Sequence, residues 1–177
     1  MMNKLFLSLV YFFSFVFLLV VFLPKQELYY LLLKELNKNE IVLDEKYFSD
    51  TNLGLKIEDT QVYIKGIKAS NIENITLDTF LFFNKLQIKD IKISENFKQF
   101  VPAQIDNVSV VYSVMNPLFV DISFRAKEYK GNGFVDIINR KIIINLYPSN
   151  KFIRSYSMLL RNMKKINAKE YRYEYSF

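Results

Sequence analysis

Residues 118–147 read LFVDISFRAKEYKGNGFVDIINRKIIINLY, and apolar side chains alternate with polar ones from Leu118 to Ala126. Strict alternation is typical of a β-strand with one buried and one solvated face. Asn139-Arg140 separates two further apolar runs, and Gly131-Asn132-Gly133 supplies residues that tolerate positive φ. The stretch therefore predicts consecutive hairpin strands, with one turn at the glycines and another at Asn139-Arg140.

The same period of two recurs upstream, in pairs such as Leu55 and Ile57 or Leu86 and Ile88. No helical pattern of the length that a parallel crossover needs lies between these pairs. We therefore predict a mainly β domain over residues 41–177, an antiparallel meander that forms either a sandwich or an open groove. Turn or bend candidates between the short strands are Asp59-Thr60, Gly66, Asn71, Asn74, Asn84-Lys85 and Asp90.

One helix interrupts the β pattern, at about residues 150–165, where Ser149 or Asn150 can act as the N-cap. An apolar stripe at helical spacing predicts that it is amphipathic. The stripe consists of Phe152, Ile153, Tyr156, Leu159, Leu160 and Met163. A basic side faces away from it, with Lys151, Arg154, Arg161, Lys164 and Lys165.

The chain ends with Tyr171, Tyr173 and Tyr175 in alternation, which predicts a terminal edge strand. Together with the basic residues, these tyrosines are candidate contacts for a protein partner or an anionic surface. The competing interpretation is a helix and strand that cover the core and turn a solvated face outward. The candidate contacts are Arg154, Arg161, Lys164, Lys165, Tyr171, Tyr173 and Tyr175.

The amino-acid composition excludes most of the familiar catalytic and metal-binding sites. The chain of 177 residues has no Cys, His or Trp, and its 24 Lys and Arg exceed its 18 Asp and Glu, for a net charge of +6. Disulfides, thiol or histidine catalysis and Cys/His zinc sites each require a residue that is missing. No GxxxxGK[ST] loop is present to bind a nucleotide. We expect no enzyme activity, no catalytic or metal-binding residues and no cofactor.

The amino-terminal segment predicts a membrane anchor. From Leu5 to Leu23 no residue is charged, and a helix over this stretch would extend about 28 Å. No small-residue cleavage site follows, which favours an uncleaved signal anchor over a cleaved signal or a buried core helix. Lys4 favours a cytoplasmic tip at residues 1–4, so the rest would lie in a bacterial periplasm, anchored in the inner membrane. Representative anchor residues are Leu5, Phe12, Phe13, Leu18 and Leu23.

A juxtamembrane helix is predicted over residues 24–39, with Leu28, Leu32 and Leu36 at helical spacing. Tyr29 and Tyr30 are placed where amphipathic rings favour lipid headgroups. Two arrangements remain open: the helix lies at the interface, or it continues the membrane helix after a kink at Pro24.

Three passages together resemble the protein N component of type II secretion systems, which is similar to AsmA-type envelope proteins. They are LPKQELYYLLLKEL (23–36), LGLKIEDTQVYIKGI (53–67) and FRAKEYKGNGFVDIINRKIIINLYPS (124–149). The similarity extends over roughly residues 1–149 and is strongest from Phe124 to Pro148. It implies a single-pass inner-membrane protein that supports a secretion or DNA-uptake (competence) apparatus, with no catalytic residues.

Two functions follow as expectations. The first is a membrane-anchored periplasmic assembly or scaffold component, whose free strand edge at Tyr171–Phe177 pairs with protein partners. The second is an AsmA-like, lipid-handling envelope protein in which the strands line an apolar groove. Direct binding of nucleic acid is not expected in either case.

Overall fold

The computed structural model of the protein describes residues 11–12, 14–15, 25–51, 53–80, 82–98 and 100–177. Residues 11–12 and 14–15 are helical, and Phe12 is exposed. The remaining predicted anchor residues, Leu5, Phe13, Leu18 and Leu23, lie outside the described part, as does Pro24. Among the described residues, no helix has the length and apolar character needed to cross a bilayer.

The described residues from 25 to 177 form three helices and one sheet of ten antiparallel strands. The prediction of a mainly β, antiparallel meander is confirmed, and the strands form one sheet rather than the two of a sandwich. Each strand pairs with the next one in sequence until β8, which pairs with β10, and β9 lies outermost. The helices are α1 (Lys25–Lys38), α2 (Asn150–Ser155) and α3 (Ser157–Arg161). The strands are β1 (Ile41–Thr51), β2 (Gly54–Ile64), β3 (Ile67–Thr79), β4 (Phe83–Ile93), β5 (Gln104–Ser113), β6 (Phe119–Arg125), β7 (Tyr129–Asp136), β8 (Lys141–Pro148), β9 (Lys164–Asn167) and β10 (Glu170–Ser176).

The first strands are longer than predicted, because most of the turn candidates lie inside them. Gly66, with φ of 75°, does form the β2–β3 turn. None of the other candidates ends a strand: Asp59-Thr60 lies in β2, Asn71 and Asn74 in β3, and Asn84-Lys85 and Asp90 in β4, so a turn was wrong at these positions, whereas a bend is confirmed at Asp59 and Asp90. A period-two pattern cannot by itself distinguish a kink within a strand from a turn between two strands.

Two aspartates kink their strands without ending them. Asp59 and Asp90 adopt φ of 53° and 55°, in the left-handed region that Asp tolerates better than most residues. The alternation of apolar residues shifts by one position at the kink in β4, where it runs through Ile88 before Asp90 and through Ile91 after it. The neighbouring strand β5 shows the same shift between Ile105 and Val108. The Lys46 ammonium pairs with the Asp59 carboxylate at the kink, which holds the pKa of that carboxyl below its ordinary value.

The glycine turn was also predicted in the wrong place. Gly131, Asn132 and Gly133 lie within β7, and the β6–β7 turn falls at Lys127-Glu128, where the Ala126 amide donates to the Tyr129 carbonyl over 2.8 Å. The other predicted turn is confirmed, because Arg140 has φ of 50° between β7 and β8.

The predicted late helix is shorter than expected and is divided. It breaks at Tyr156, where φ of −121° and ψ of 38° interrupt the helical backbone. Ser149 is the N-cap, because its hydroxyl accepts a hydrogen bond from the Phe152 amide at 3.2 Å. Lys164 and Lys165 lie in β9 rather than in the helix, so the prediction of a helix to residue 165 was wrong.

Helix α1 packs against the first strands through a different stripe from the one expected. Tyr29 is only 7% exposed and, with Leu33, packs against Leu55 and Ile57 of β2, while Leu32 is exposed. Tyr29 therefore packs on the sheet and Tyr30 is exposed, while the two arrangements of this helix at the membrane stay predictions. Burial, and then the nearby Glu45 carboxylate, raise the pKa of the Tyr29 hydroxyl.

Candidate functional site

One face of the sheet carries two apolar rows that cross eight strands. Residues paired in register lie on the same face, so each row is a continuous band from β2 to β10. The first row is Ile57, Ile75, Ile88, Val108, Phe124, Gly131, Leu146 and Tyr171. The second is Leu55, Leu77, Leu86, Val110, Ile122, Gly133, Ile144 and Tyr173. We call these two rows the apolar face.

Helices pack against the two ends of the apolar face. Tyr29 and Leu33 of α1 belong to a cluster with residues of β1 to β3. Phe152 and Leu160, from α2 and α3, belong to a second cluster with residues of β7, β8 and β10. Phe124 of β6 packs against the second cluster, but five other residues of the apolar face on β4 to β6 belong to neither cluster and are half-buried. They are Leu86, Ile88, Val108, Val110 and Ile122.

Phe152 anchors the second helical cover. It is 1% exposed and is the largest fully buried side chain among the described residues. Its ring centroid lies 4.8 Å from that of Tyr129 and 4.9 Å from that of Tyr156. Burial, with smaller contributions from Tyr156 and Asp106, raises the pKa of the Tyr129 hydroxyl. The packing fixes α2 and α3 above the β7–β8 part of the apolar face.

A cavity of about 390 Å³ lies between these helices and the sheet. Its walls are mostly apolar, with Phe152, Leu159 and Met163 on the helical side and Phe124, Ile144 and Tyr173 on the strand side. Pockets of this size and lining are typical of sites for small apolar molecules. Ile144 and Tyr173 belong to the apolar face, so the cavity continues the uncovered central strands beneath the helices.

No family model, curated protein or solved structure matches the chain. The function must therefore be argued from the geometry of the site. Within the described part of the chain, no group of three or more acidic side chains is placed to hold a metal ion. The arrangement offers apolar surface and an apolar cavity, and these can bind a ligand by burial without covalent chemistry.

Two glycines let strands and rings approach closely within the apolar face. The Phe124 ring covers Gly131, and a Cβ there would lie 2.1 Å from Cζ of that ring. A Cβ on Gly133 would lie 2.2 Å from the Ile143 carbonyl oxygen. These glycines, which the sequence suggested as turn residues, keep the surface of β7 flat between β6 and β8.

The sequence-predicted contacts are distributed over α2, α3, β9 and β10, and the strand pairing places Lys165 opposite Tyr171. Arg154 and Arg161 are exposed on α2 and α3, whereas Lys164 and Lys165 are exposed on β9. The tyrosines divide as well: Tyr171 is buried in the second cluster, Tyr173 lines the cavity and Tyr175 is exposed.

The predicted free edge was only partly right. β9 pairs with the first part of β10, through Glu170, Tyr171 and Arg172. Residues 173–176 pair only with β8 among the described strands, so their outer edge is open. β9 could not be predicted from alternation, because the four residues Lys164–Asn167 are all exposed and show no pattern of apolar and polar side chains.

Proposed function

We propose that the protein is a membrane-anchored envelope protein that binds the acyl chains of lipids on the apolar face. The observation that carries this proposal is the uncovered central part of that face, which continues into the cavity beneath α2 and α3. A single-layer sheet normally buries its apolar side against another layer, and among the described residues only the ends of this face are covered. An elongated apolar ligand fits a band that crosses several strands without interruption.

A lipid is the occupant best supported by the order of the chain. Helix α1 follows the predicted membrane segment at residues 5–23 and packs against β1 and β2. The β1 end of the sheet would then lie near the bilayer. This agrees with the arrangement expected from the sequence, in which residues 5–23 anchor the protein in the inner membrane and the rest lies in the periplasm. Each buried methylene of an acyl chain would contribute about 0.8 kcal/mol, so a chain along the apolar rows would be held firmly.

The proposal predicts that lipid is bound by the native protein and lost when the apolar face is charged. In Ile122→Asp, a carboxylate would replace a side chain in the middle of the second apolar row, and an ionised group cannot share a dry interface with an acyl chain. We expect lipid extracted from the full-length protein, purified from membranes and measured by mass spectrometry, to fall at least about tenfold.

Ser123→Asp is the matched control, because Ser123 is the next residue of β6, is exposed and lies on the opposite face. It should retain the bound lipid, and both variants should keep the circular dichroism of a folded sheet. Equal lipid content in wild-type protein and folded Ile122→Asp would refute the proposal.

An assembly or scaffold function, in a secretion-like or DNA-uptake apparatus, is the second candidate. It is favoured by two open edges: β1, which has no outer partner among the described strands, and residues 173–176 of β10. Unpaired backbone groups at such edges accept an added strand from another protein. Ile122 is distant in strand order from both edges, so Ile122→Asp separates the two candidates: it should abolish lipid binding and leave edge pairing intact.

A further inference from the structure

The opposite side of the sheet carries a row of polar residues that neither candidate function uses. It crosses β4 to β8 and consists of Lys89, Asn107, Arg125, Lys130 and Tyr147, each paired in register with the next. A second row, beside it, contains Ser109, Ser123, Asn132 and Asn145. We call these two rows the polar face.

Positive charge is concentrated in the first of these rows. Arg125 is directly opposite Lys130, a like-charge pair that normally destabilises a sheet. Lys89 lies two strands from Arg125, so their backbones are roughly 10 Å apart. None of the ion pairs found in the described part of the chain involves these three cations. Their proximity, without acidic partners, is the kind of arrangement that an anionic ligand would stabilise.

The three cations line one cavity of about 620 Å³. Asp106 is the one acid that lines it, and that carboxylate accepts a hydrogen bond from the Gln104 amide at 3.2 Å. Asn107 lies between Lys89 and Arg125, and Ser123 and Asn132 lie beside the cationic row; all three offer neutral donors and acceptors. The lining therefore combines a net positive charge with groups that bind hydroxyls.

A second cavity, of about 430 Å³, extends the first along the polar face. Ser123 and Asn132 line both cavities, Asn145 and Ser109 line the extension, and Asp121 places one carboxylate at its wall, away from the three cations of the first cavity. The Arg172 guanidinium donates to the Asn145 side-chain oxygen at 2.9 Å and fixes the orientation of that amide. Two joined cavities suit a ligand of several repeating units better than a single small ion.

We propose that the polar face binds an anionic oligosaccharide, with its carboxylates on Lys89, Arg125 and Lys130 and its hydroxyls on the neighbouring amides and serines. Charge-assisted hydrogen bonds from Arg and Lys to carboxylates supply most of the affinity. A nucleic acid fits less well, because single-stranded bases need several stacking rings and Tyr147 is the aromatic residue of the polar rows. Lys89, Arg125 and Lys130 lie on the opposite side of the sheet from the side chains of the apolar face.

The test uses the full-length protein in nanodiscs of neutral phosphatidylcholine and isothermal titration calorimetry. The probe is an oligomer of galacturonate, and a neutral maltose oligomer of the same length is the reference. We expect the galacturonate oligomer to bind and the maltose oligomer to bind at least about tenfold more weakly. The double variant Arg125→Gln/Lys130→Gln should lower galacturonate affinity by at least about tenfold, and added salt should weaken binding of the wild type.

The control double variant is Lys85→Gln/Lys141→Gln, which removes two cations from the same side of the sheet that line neither cavity. It removes the same total charge, and we expect it to bind the galacturonate oligomer within about twofold of wild type. Absence of binding by folded wild-type protein would overturn the proposal, as would equal losses in both double variants. Tighter binding to phosphatidylglycerol vesicles than to the oligomer would assign the charges to a membrane surface instead and would also overturn it.

Discussion

Replacing Phe152 with alanine is expected to destabilise the protein by about 3–5 kcal/mol, the range for truncating a large aromatic side chain in a packed core. Phe152 is 1% exposed and contacts Tyr129 and Tyr156, so its loss would leave a void that the neighbouring strands cannot close. The void would adjoin the existing cavity, which Phe152 already lines. We expect α2 and α3 to separate from the sheet before the sheet itself unfolds.

The change in the free energy of unfolding can be measured by urea titration of the full-length protein in mild detergent. Limited proteolysis would show whether residues 149–163 become accessible first. Met158→Ala is the matched control, because Met158 belongs to α3 and is 66% exposed. It should change stability by no more than about 0.5 kcal/mol. Similar losses in both variants would mean that Phe152 does not anchor the helical cover.

Gly133→Ala is expected to be the other severely destabilising change, with a loss of about 3 kcal/mol or somewhat more. The new Cβ would lie 2.2 Å from the Ile143 carbonyl oxygen and 3.0 Å from Cα of Ile144. Both are backbone atoms of β8, so no side chain can rotate to make room. β7 and β8 would have to move apart, which would weaken their hydrogen bonds and distort the floor of the apolar face.

Asn132→Ala is the control for stability, since Asn132 is adjacent to Gly133 in β7 and is exposed. Thermal unfolding followed by circular dichroism should show a lower midpoint for Gly133→Ala and little change for Asn132→Ala. A Gly133→Ala protein as stable as the wild type would show that β7 and β8 are not as closely paired as the structure has them.

Local alternation predicted the fold class correctly but could not set the length of the early strands. The pattern at Leu86 and Ile88 restarts at Ile91 and Ile93, and a restart looks the same whether the chain turns or kinks. The kink at Asp90 depends on pairing with β3 and β5, since register holds the strand together on both sides. The sequence shows the aspartate and the one-residue shift in the apolar pattern. It does not show the pairing with β3 and β5, which decides between a turn and a kink.

Position within the sheet decides what the candidate site residues do. Tyr171, Tyr173 and Tyr175 have the same alternation in sequence, yet one is buried, one lines the cavity and one is exposed. Their difference comes from β8, β9 and the helices above them. The cationic row was missed for a similar reason: Arg125 and Lys130 become partners only when the hairpin turn falls at Lys127-Glu128, and the glycines pointed to a later turn.

Site-specific photo-crosslinking in intact membranes tests lipid binding on the apolar face most directly. A photoreactive amino acid at position 144 would replace Ile144, which lines the cavity, and one at position 145 would replace Asn145, its neighbour on the polar face. If the apolar face binds lipid, illumination should produce an adduct with the mass of a membrane lipid at position 144 and none at position 145. Lipid adducts at both positions alike, or at neither, would contradict it.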